Sequence, residues 1–144
     1  MNTQIKIRNY NPSTDYLWVF ALYNNSETYW WQFDVARDSK DKLAVFSKSN
    51  PNKLLIAEVE WKIIGTVTIF EDGRSAWLYR FALIPNYDEE AGKLLYDHAT
   101  SIAKMMWHAQ MIVYGPCNNQ EIEDRYKDLW FNKWSTFTAY RKNI

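Results

Sequence analysis

The sequence predicts an α+β domain with α/β/α layers, in which helices cover both faces of a mixed, mostly antiparallel sheet of six to seven strands. Residues 54–84 contain three apolar segments joined by two tight turns, which is the pattern of an antiparallel meander. A long segment with apolar residues at helical spacing follows them. A short, wholly apolar segment comes next, and strands of that kind are typically buried on both faces.

The N-terminal part of the chain predicts one strand and two helices. Ile5 and Ile7 alternate with polar residues, as in a strand with one buried face. The apolar residues of the next segment lie at helical spacing: Leu17, Phe20 and Ala21. Ser13 or Thr14 can cap this first helix. A second helix is expected over residues 38–47, before an Asn-Pro pair that disfavours helix.

The meander and the segments after it complete the predicted order. Its three strands are expected at residues 54–60, 63–70 and 75–84. Gly73 can adopt a positive φ in the second turn, and Pro85 ends the third strand. The remaining elements are expected as helix, strand, helix and strand, at residues 88–107, 111–114, 120–129 and 134–141. No repeat or linker interrupts them, so residues 1–144 predict a single domain.

The composition excludes several classes of protein. The 17 Lys and Arg balance the 17 Asp and Glu without clustering, so binding to nucleic acid is not expected. No apolar run approaches the roughly 20 residues that span a bilayer, and the N-terminus has no secretory apolar core. We therefore expect no membrane association. A single cysteine, Cys117, excludes an internal disulfide and makes the cytoplasm the expected compartment.

A metal site is not expected either. His98 and His108 have no Cys or acidic partners at the spacing of metal ligands, so a surface or structural role is the simpler interpretation. Cys117 has no evident base nearby in the sequence and is expected to be inert.

Three segments carry a resemblance to a known family. Residues 56–67, IAEVEWKIIGTV, form a hairpin pattern, and residues 78–87, LYRFALIPNY, form a strand followed by a Pro-x-Tyr loop entry. The third segment contains Asn119, Tyr126, Leu129 and Phe131. In this order and at these separations, the segments resemble the GNAT N-acetyltransferase superfamily over nearly the whole chain.

The resemblance implies direct transfer of an acetyl group from acetyl-CoA to an amine, without a metal. Phe81, Ala82 and Leu83 would lie on a splayed strand whose backbone binds the pantetheine arm. A backbone N–H near Leu83 would polarise the thioester carbonyl, which is often the largest single contribution to catalysis. Asn119 would hydrogen-bond the pantetheine. Tyr126 would protonate the departing thiolate, because a phenol with a reference pKa of ~10 is protonated at neutral pH.

The resemblance also implies a pyrophosphate site at the start of the helix after Pro85. The backbone there would bind the phosphates through these residues: Glu90, Ala91, Gly92, Lys93 and Leu94. The family loop is basic and glycine-rich, whereas carboxylates occupy residues 88–90 here. Such carboxylates are favourable at any helix N-terminus, but each repels a close anion by roughly 1 kcal/mol in water.

The acceptor side has fewer signals. Trp30 and Trp31 either line an acceptor pocket or cap the core. The incoming amine would lose its proton to Glu58, to Tyr79 through water, or to no protein base. The acceptor that carries this amine is either a small molecule or a protein. A homodimer is also possible, because dimers are common among the proteins that the chain resembles.

Two functions remain open. The first is an N-acetyltransferase that uses acetyl-CoA. The second is a degenerate GNAT domain that binds the cofactor poorly or not at all and acts as a binding or oligomerisation module. Both depend on one structural expectation, which is that the strands at residues 81–84 and 111–114 are neighbours that part from each other.

Overall fold

The computed structural model describes residues 4–25 and 33–144. The chain divides into two compact units, residues 1–114 and residues 115–144. The expectation of a single domain stays a prediction. Within the described residues, no helix is both long and apolar enough to cross a membrane.

The described part of the first unit contains a five-stranded sheet and three helices. In chain order the elements are β1 (Lys6–Asn9), α1 (Tyr16–Tyr23), α2 (Lys40–Ser49), β2 (Leu54–Val59), β3 (Lys62–Glu71), β4 (Ala76–Leu83), α3 (Asp88–Met105) and β5 (Met111–Val113). The strands lie in the order β1-β2-β3-β4-β5. All neighbours are antiparallel except β4 and β5, which are parallel. The predicted α+β class is thus confirmed.

Helices cover the two faces of this sheet. On one face, α1, α2 and the strands share an apolar core: Tyr10, Val19, Leu22, Tyr23, Leu43, Leu54, Ile56, Ile63 and Ala82. Successive residues of a strand point to opposite faces, so Leu83 points to the other side. On that side, Leu83 packs against Gly92 of α3. Leu95 of the same helix packs against Gly65 of β3. β4 therefore contributes side chains to the cores on both faces of the sheet.

The predicted final strand is wrong. In the second unit, the described residues contain one helix, α4 (Gln120–Asp128), and residues 134–141 form no strand. The large apolar side chains of this segment, Trp134, Phe137 and Tyr140, recur every third residue and are all exposed. A spacing of three cannot place them on one face of a strand, whose side chains repeat every second residue. The described sheet accordingly has five strands rather than six to seven.

The first helix is found, but its predicted buried face and cap are wrong. Leu17 is 76% exposed, whereas α1 buries Val19, Leu22 and Tyr23. Asp15, rather than Ser13 or Thr14, occupies the N-cap position, without capping the helix. Its carboxylate instead binds Arg8 of β1, at 2.6 Å. The Asp15 carboxylate thus binds the neighbouring strand and does not cap the helix.

Other boundaries agree with the prediction within a few residues. α2 begins after Ser39, whose hydroxyl accepts a hydrogen bond from the Lys42 N–H. β5 is half-buried rather than buried on both faces. Within the described residues β5 pairs only with β4, which leaves its other edge uncovered by strands.

Candidate functional site

The two parallel strands β4 and β5 part from each other midway along β4. Ala76, Trp77 and Leu78 pair with Met111, Ile112 and Val113, and β4 and β5 have no further pairs. Residues 81–83 of β4 therefore have no strand beside them on the side away from β3, within the described residues. We call the backbone of Phe81–Leu83 on that side the open edge. The expected parting of these strands is confirmed.

A β-bulge separates the paired part of β4 from the open edge. Before the bulge Thr68 pairs with Tyr79, and after it Thr66 pairs with Ala82. Two residues, Arg80 and Phe81, thus oppose Val67 alone. Arg80 has a φ of 51°, in the left-handed region. Such an extra residue bends a strand and increases its twist, and bulges are frequent next to active sites.

The register after the bulge determines which backbone groups lie on the open edge. The Ile84 N–H donates to the Ile64 carbonyl oxygen at 2.8 Å, so Ile84 and Ala82 direct their polar backbone groups toward β3. Leu83 lies between them and directs its N–H and C=O the opposite way. A ligand beside the open edge would meet the N–H group of Leu83.

Two glycines, Gly65 and Gly92, leave room for the Leu83 side chain. A Cβ atom on Gly65 of β3 would lie 2.7 Å from Leu83 Cδ2, and one on Gly92 of α3 would lie 3.2 Å from Leu83 Cδ1. Both glycines and Leu83 are buried. Gly92 therefore permits close packing of α3 against the strand.

Helix α3 begins directly after β4 and the turn that follows it. Asp88 is its first residue, and Tyr87 at the N-cap makes no side-chain capping bond. The Ala91 N–H donates to the Tyr87 carbonyl at 2.9 Å and so belongs to the helical ladder. The N–H groups before Ala91 have no helical acceptor, as at every helix start. Glu89 and Glu90 are exposed in this first turn.

The remaining residues of the predicted pyrophosphate site lie within the helix. Ala91 and Gly92 are buried, and Leu94 is half-buried. Lys93 is exposed, and its ammonium group binds Asp97 one turn later at 2.7 Å. Their assignment to the cofactor stays a prediction.

Aromatic side chains lie where the two strands part. Phe70 and Trp77 are paired across β3 and β4, and Tyr79 follows two residues later on the same face. The rings of Trp77 and Tyr114, at the end of β5, have centroids 5.1 Å apart. Phe70, Tyr79 and Tyr114 are exposed. We call these four residues the aromatic patch.

A buried ion pair holds the bulge residue. Arg80 Nε donates to Asp38 Oδ1 at 2.6 Å, and Asp38 is only 2% exposed. The guanidinium group of Arg80 lies 4.8 Å from the ring centroid of Tyr79. The sequence offered one signal for this pair, an Arg within the otherwise apolar segment LYRFAL. It offered none for Asp38, 42 positions away.

Glu58, one of the candidate bases, is part of another ion-pair cluster. Arg8 Nε donates to Glu58 Oε2 at 2.6 Å, and the same guanidinium group binds Asp15. The pKa of Asp15 is lowered: burial favours its neutral form, but hydrogen bonds from Arg8, the Asn11 N–H and Thr14 outweigh burial. Glu58 is also buried, so an amine could reach this carboxylate only by competing with Arg8.

The other predicted site residues belong to other parts of the chain. Trp30 and Trp31 fall outside the described residues. In the second unit, the Asn119 side-chain oxygen accepts from the Ile122 N–H at 3.1 Å and caps α4, which leaves its NH₂ group as a donor. Tyr126 is half-buried in α4, and a Cβ atom on Gly115 would lie 3.0 Å from Tyr126 Cε2.

Metal ligands do not converge in the described chain. No group of three or more His, Cys, Asp or Glu there could hold a metal ion. His98 is exposed, and His108 Nε2 lies 3.3 Å from Glu71 Oε2. Cys117 is an exposed thiol.

Comparison with known proteins gives structural matches only. The sequence matches no protein-family model and no curated protein sequence. An acetyltransferase of Streptococcus agalactiae matches with a TM-score of 0.78 at 16% identity, over 100% of this chain and 92% of that one. Glucosamine-6-phosphate N-acetyltransferase of Arabidopsis thaliana matches with a TM-score of 0.69 at 15% identity, over 97% and 99% of the two chains.

A third match was solved with a ligand. AAC(6′)-Iy, in complex with the bisubstrate analogue CoA-S-monomethyl-acetylneamine, has a TM-score of 0.73 at 16% identity, over 98% of this chain and 99% of that one. At identities this low, the likeness shows that the chain shares the fold of these proteins.

Proposed function

We propose that this chain, which has the fold of the GNAT acetyltransferases, transfers an acetyl group from acetyl-CoA to the primary amine of a small molecule. The observation that carries the proposal is the open edge of β4, next to a bulge and followed directly by the N-terminus of α3. This arrangement offers backbone donors to an extended arm and to its anionic end. A sheet that paired continuously would offer no edge to the arm.

The pantetheine arm would bind along the open edge. Its amides would pair with the backbone of Phe81 and Leu83, as an added strand pairs with a sheet edge. The Leu83 N–H would donate to the thioester oxygen. As the amine nitrogen attacks the carbonyl carbon, that oxygen becomes negative, so a donor fixed there stabilises the transition state. The C–S bond then breaks and coenzyme A leaves as a thiolate.

Tyr126 and Asn119 keep the roles that the resemblance implies. The Tyr126 phenol would protonate the thiolate and regain a proton from solvent, and the Asn119 NH₂ group would donate to the pantetheine. The helix cap formed by the Asn119 side-chain oxygen supports this role, because it fixes the orientation of the amide. The proton that the amine loses would pass to water at Tyr79, which is exposed. Arg8 makes Glu58 the weaker candidate for that step.

The anionic end of acetyl-CoA would bind at the start of α3. The first-turn N–H groups and the helix dipole attract phosphate. The exposed carboxylates of Glu89 and Glu90 oppose it, each by roughly 1 kcal/mol at close range. We therefore expect weak binding of the cofactor, which strengthens as salt screens this repulsion.

The aromatic patch supports a ring-bearing small molecule as the acceptor. Trp77, Tyr79 and Tyr114 offer flat surfaces at the point where the strands part. Sugar and aryl rings both pack well against such surfaces. The structural matches include an N-acetyltransferase named for glucosamine 6-phosphate, which is an amino sugar.

Calorimetric titration with acetyl-CoA, followed by an assay of thiol release with a panel of amino sugars and aryl amines, tests the proposal. We expect measurable heat at millimolar ligand and amine-dependent release of thiol. The absence of both would exclude an acetyltransferase.

Tyr126→Phe tests the proton donor in the same assay. Because it removes the phenolic proton, kcat should fall by about 100-fold while the dissociation constant for acetyl-CoA stays within about twofold. Tyr140→Phe is the matched control, since Tyr140 is 93% exposed. An unchanged kcat in the Tyr126 variant would remove Tyr126 from the mechanism.

A further inference from the structure

The backbone of Arg80 has a conformation that needs support from elsewhere in the fold. Its φ is 51°, where the Cβ atom of a non-glycine residue crowds the following carbonyl. Residues with such backbones persist where the surrounding structure holds them. Arg80 is also the residue at which the pairing with β3 shifts by one position.

Asp38 provides that support through the side chain of Arg80. The Asp38 carboxylate is 2% exposed and accepts from Arg80 Nε at 2.6 Å. Asp38 is itself fixed within its own turn: its N–H donates to the Asp34 carbonyl at 2.8 Å, and the Asp34 N–H donates to Asp38 Oδ2 at 3.3 Å. The turn before α2 thus holds the bulge of β4 by a charged hydrogen bond, a strong type of contact.

The bulge in turn determines where the Leu83 N–H points. If Arg80 were an ordinary strand residue, the pairing of Thr68 with Tyr79 would continue without a shift. A shift of one residue sends every later side chain and N–H of a strand to the opposite side. The Leu83 N–H would then face β3, and its side chain would leave the space between Gly65 and Gly92.

We infer that Asp38 is a positioning residue for acetyl transfer: its ion pair with Arg80 keeps the bulge in β4 and thereby keeps the Leu83 N–H on the open edge. The inference rests on the proposed function. It concerns a residue that touches neither the thioester nor the amine.

Asp38→Asn tests the inference by removing the charge while keeping the shape. We expect kcat to fall by about tenfold, with KM for the amine within about twofold, because a displaced donor affects the transition state most. A second readout needs no substrate. The ladder amides of Ala82 and Ile84 should exchange hydrogen about tenfold faster, whereas the Ile69 amide, which donates to the Lys53 carbonyl, should be unchanged.

A pair of double variants separates the bulge from the charge. Glycine adopts a positive φ readily and alanine does not. In the Asp38→Asn background, Arg80→Gly should therefore restore kcat and the slow exchange of Ala82, whereas Arg80→Ala should not. Both double variants lack the ion pair, so only the preference for the bulge differs between them. Equal behaviour of the two would overturn the inference.

Asp72→Asn is the matched control for loss of an ion pair. Asp72 accepts from Arg74 Nε at 2.9 Å in the exposed turn between β3 and β4. The kcat of the Asp72→Asn variant should therefore equal that of the wild type. If Asp38→Asn leaves both kcat and exchange unchanged, or speeds exchange equally at Ile69, the inference is wrong. If the wild type neither binds acetyl-CoA nor releases thiol, the proposed function fails, while the exchange comparison still decides whether Asp38 holds the bulge.

Discussion

The two ends of β4 differ in what lies beside them. Ala76–Leu78 are paired with strands on both sides, whereas Phe81–Leu83 have a strand only on the β3 side and form the open edge. Both ends are apolar, and all six residues are buried except the half-buried Trp77. Composition therefore does not make the difference. The bulge at Arg80 lies between the two ends, and a bulge bends a strand and increases its twist.

Replacing single backbone amides by esters should show the largest difference between the open edge and the paired backbone of β4. An ester at Leu83, introduced as the matching hydroxy acid, removes the N–H on the open edge and keeps the side chain. We expect kcat to fall by about 100- to 1000-fold, as when an oxyanion donor is lost, with little change in stability.

The control is the same change at Ala82, whose N–H lies in the ladder with β3. That ester should lower the free energy of unfolding by about 1 kcal/mol and change kcat less than the Leu83 ester does. A larger loss of kcat with the Ala82 ester, and a larger loss of stability with the Leu83 ester, would mean that the two N–H groups point in the reverse directions.

Gly65→Ala tests how tightly the Leu83 side chain packs against β3 and α3. The new Cβ would lie 2.7 Å from Leu83 Cδ2 and 3.3 Å from Leu95 Cδ1, both in buried side chains. We expect the free energy of unfolding to fall by about 2 kcal/mol, measured by urea denaturation. In the double variant with Leu83→Ala, the loss should be less than the sum of the two single losses, because the clash disappears. Strict additivity would contradict the contact.

Asp88→Arg tests the charge at the end of the open edge. It replaces a negative residue by a positive one at the first position of α3. Binding of acetyl-CoA should tighten by about 30-fold in calorimetry, since the change of two charges at roughly 1 kcal/mol each contributes about 2 kcal/mol.

Asp41→Arg makes the same change in the first turn of α2 and is the matched control, for which we expect no change in affinity. Weaker binding in the Asp88 variant would show that the phosphates bind elsewhere.

Tyr114→Leu should have the smallest effect. It removes one ring of the aromatic patch while keeping an apolar side chain at the end of β5. We expect KM for a ring-bearing amine to rise by about threefold, because an aromatic contact is worth about 0.5–1.5 kcal/mol. KM for acetyl-CoA should not change. An effect on acetyl-CoA alone would place the patch on the cofactor side.

The sequence predicts the elements whose pattern is local and fails where the structure depends on distant partners. The meander and α3 have strong periods and clear turn signals, and their boundaries agree with the structure. The spacing in α1 does not identify the buried face, because Leu17 fits the helical spacing as well as Val19 does and only tertiary packing selects between them. Residues 134–141 have strand-forming side chains but pair with no strand in the described chain.

The same limit applies to the candidate site. The resemblance located the open edge, because the motif around Phe81–Leu83 is contiguous. The bulge and Asp38 were missed, since the first depends on a register shift of one residue and the second on a contact over 42 positions. The roles of Asn119 and Tyr126 stay predictions.

A strand edge without a neighbouring strand has one more consequence, which concerns aggregation. Flat, apolar edges recruit strands from other molecules and start aggregates. The bulge before Phe81–Leu83 opposes such pairing, because a bulge twists a strand edge away from a second molecule. The geometry that admits a slender thioester arm thus also discourages fibre growth before any ligand arrives.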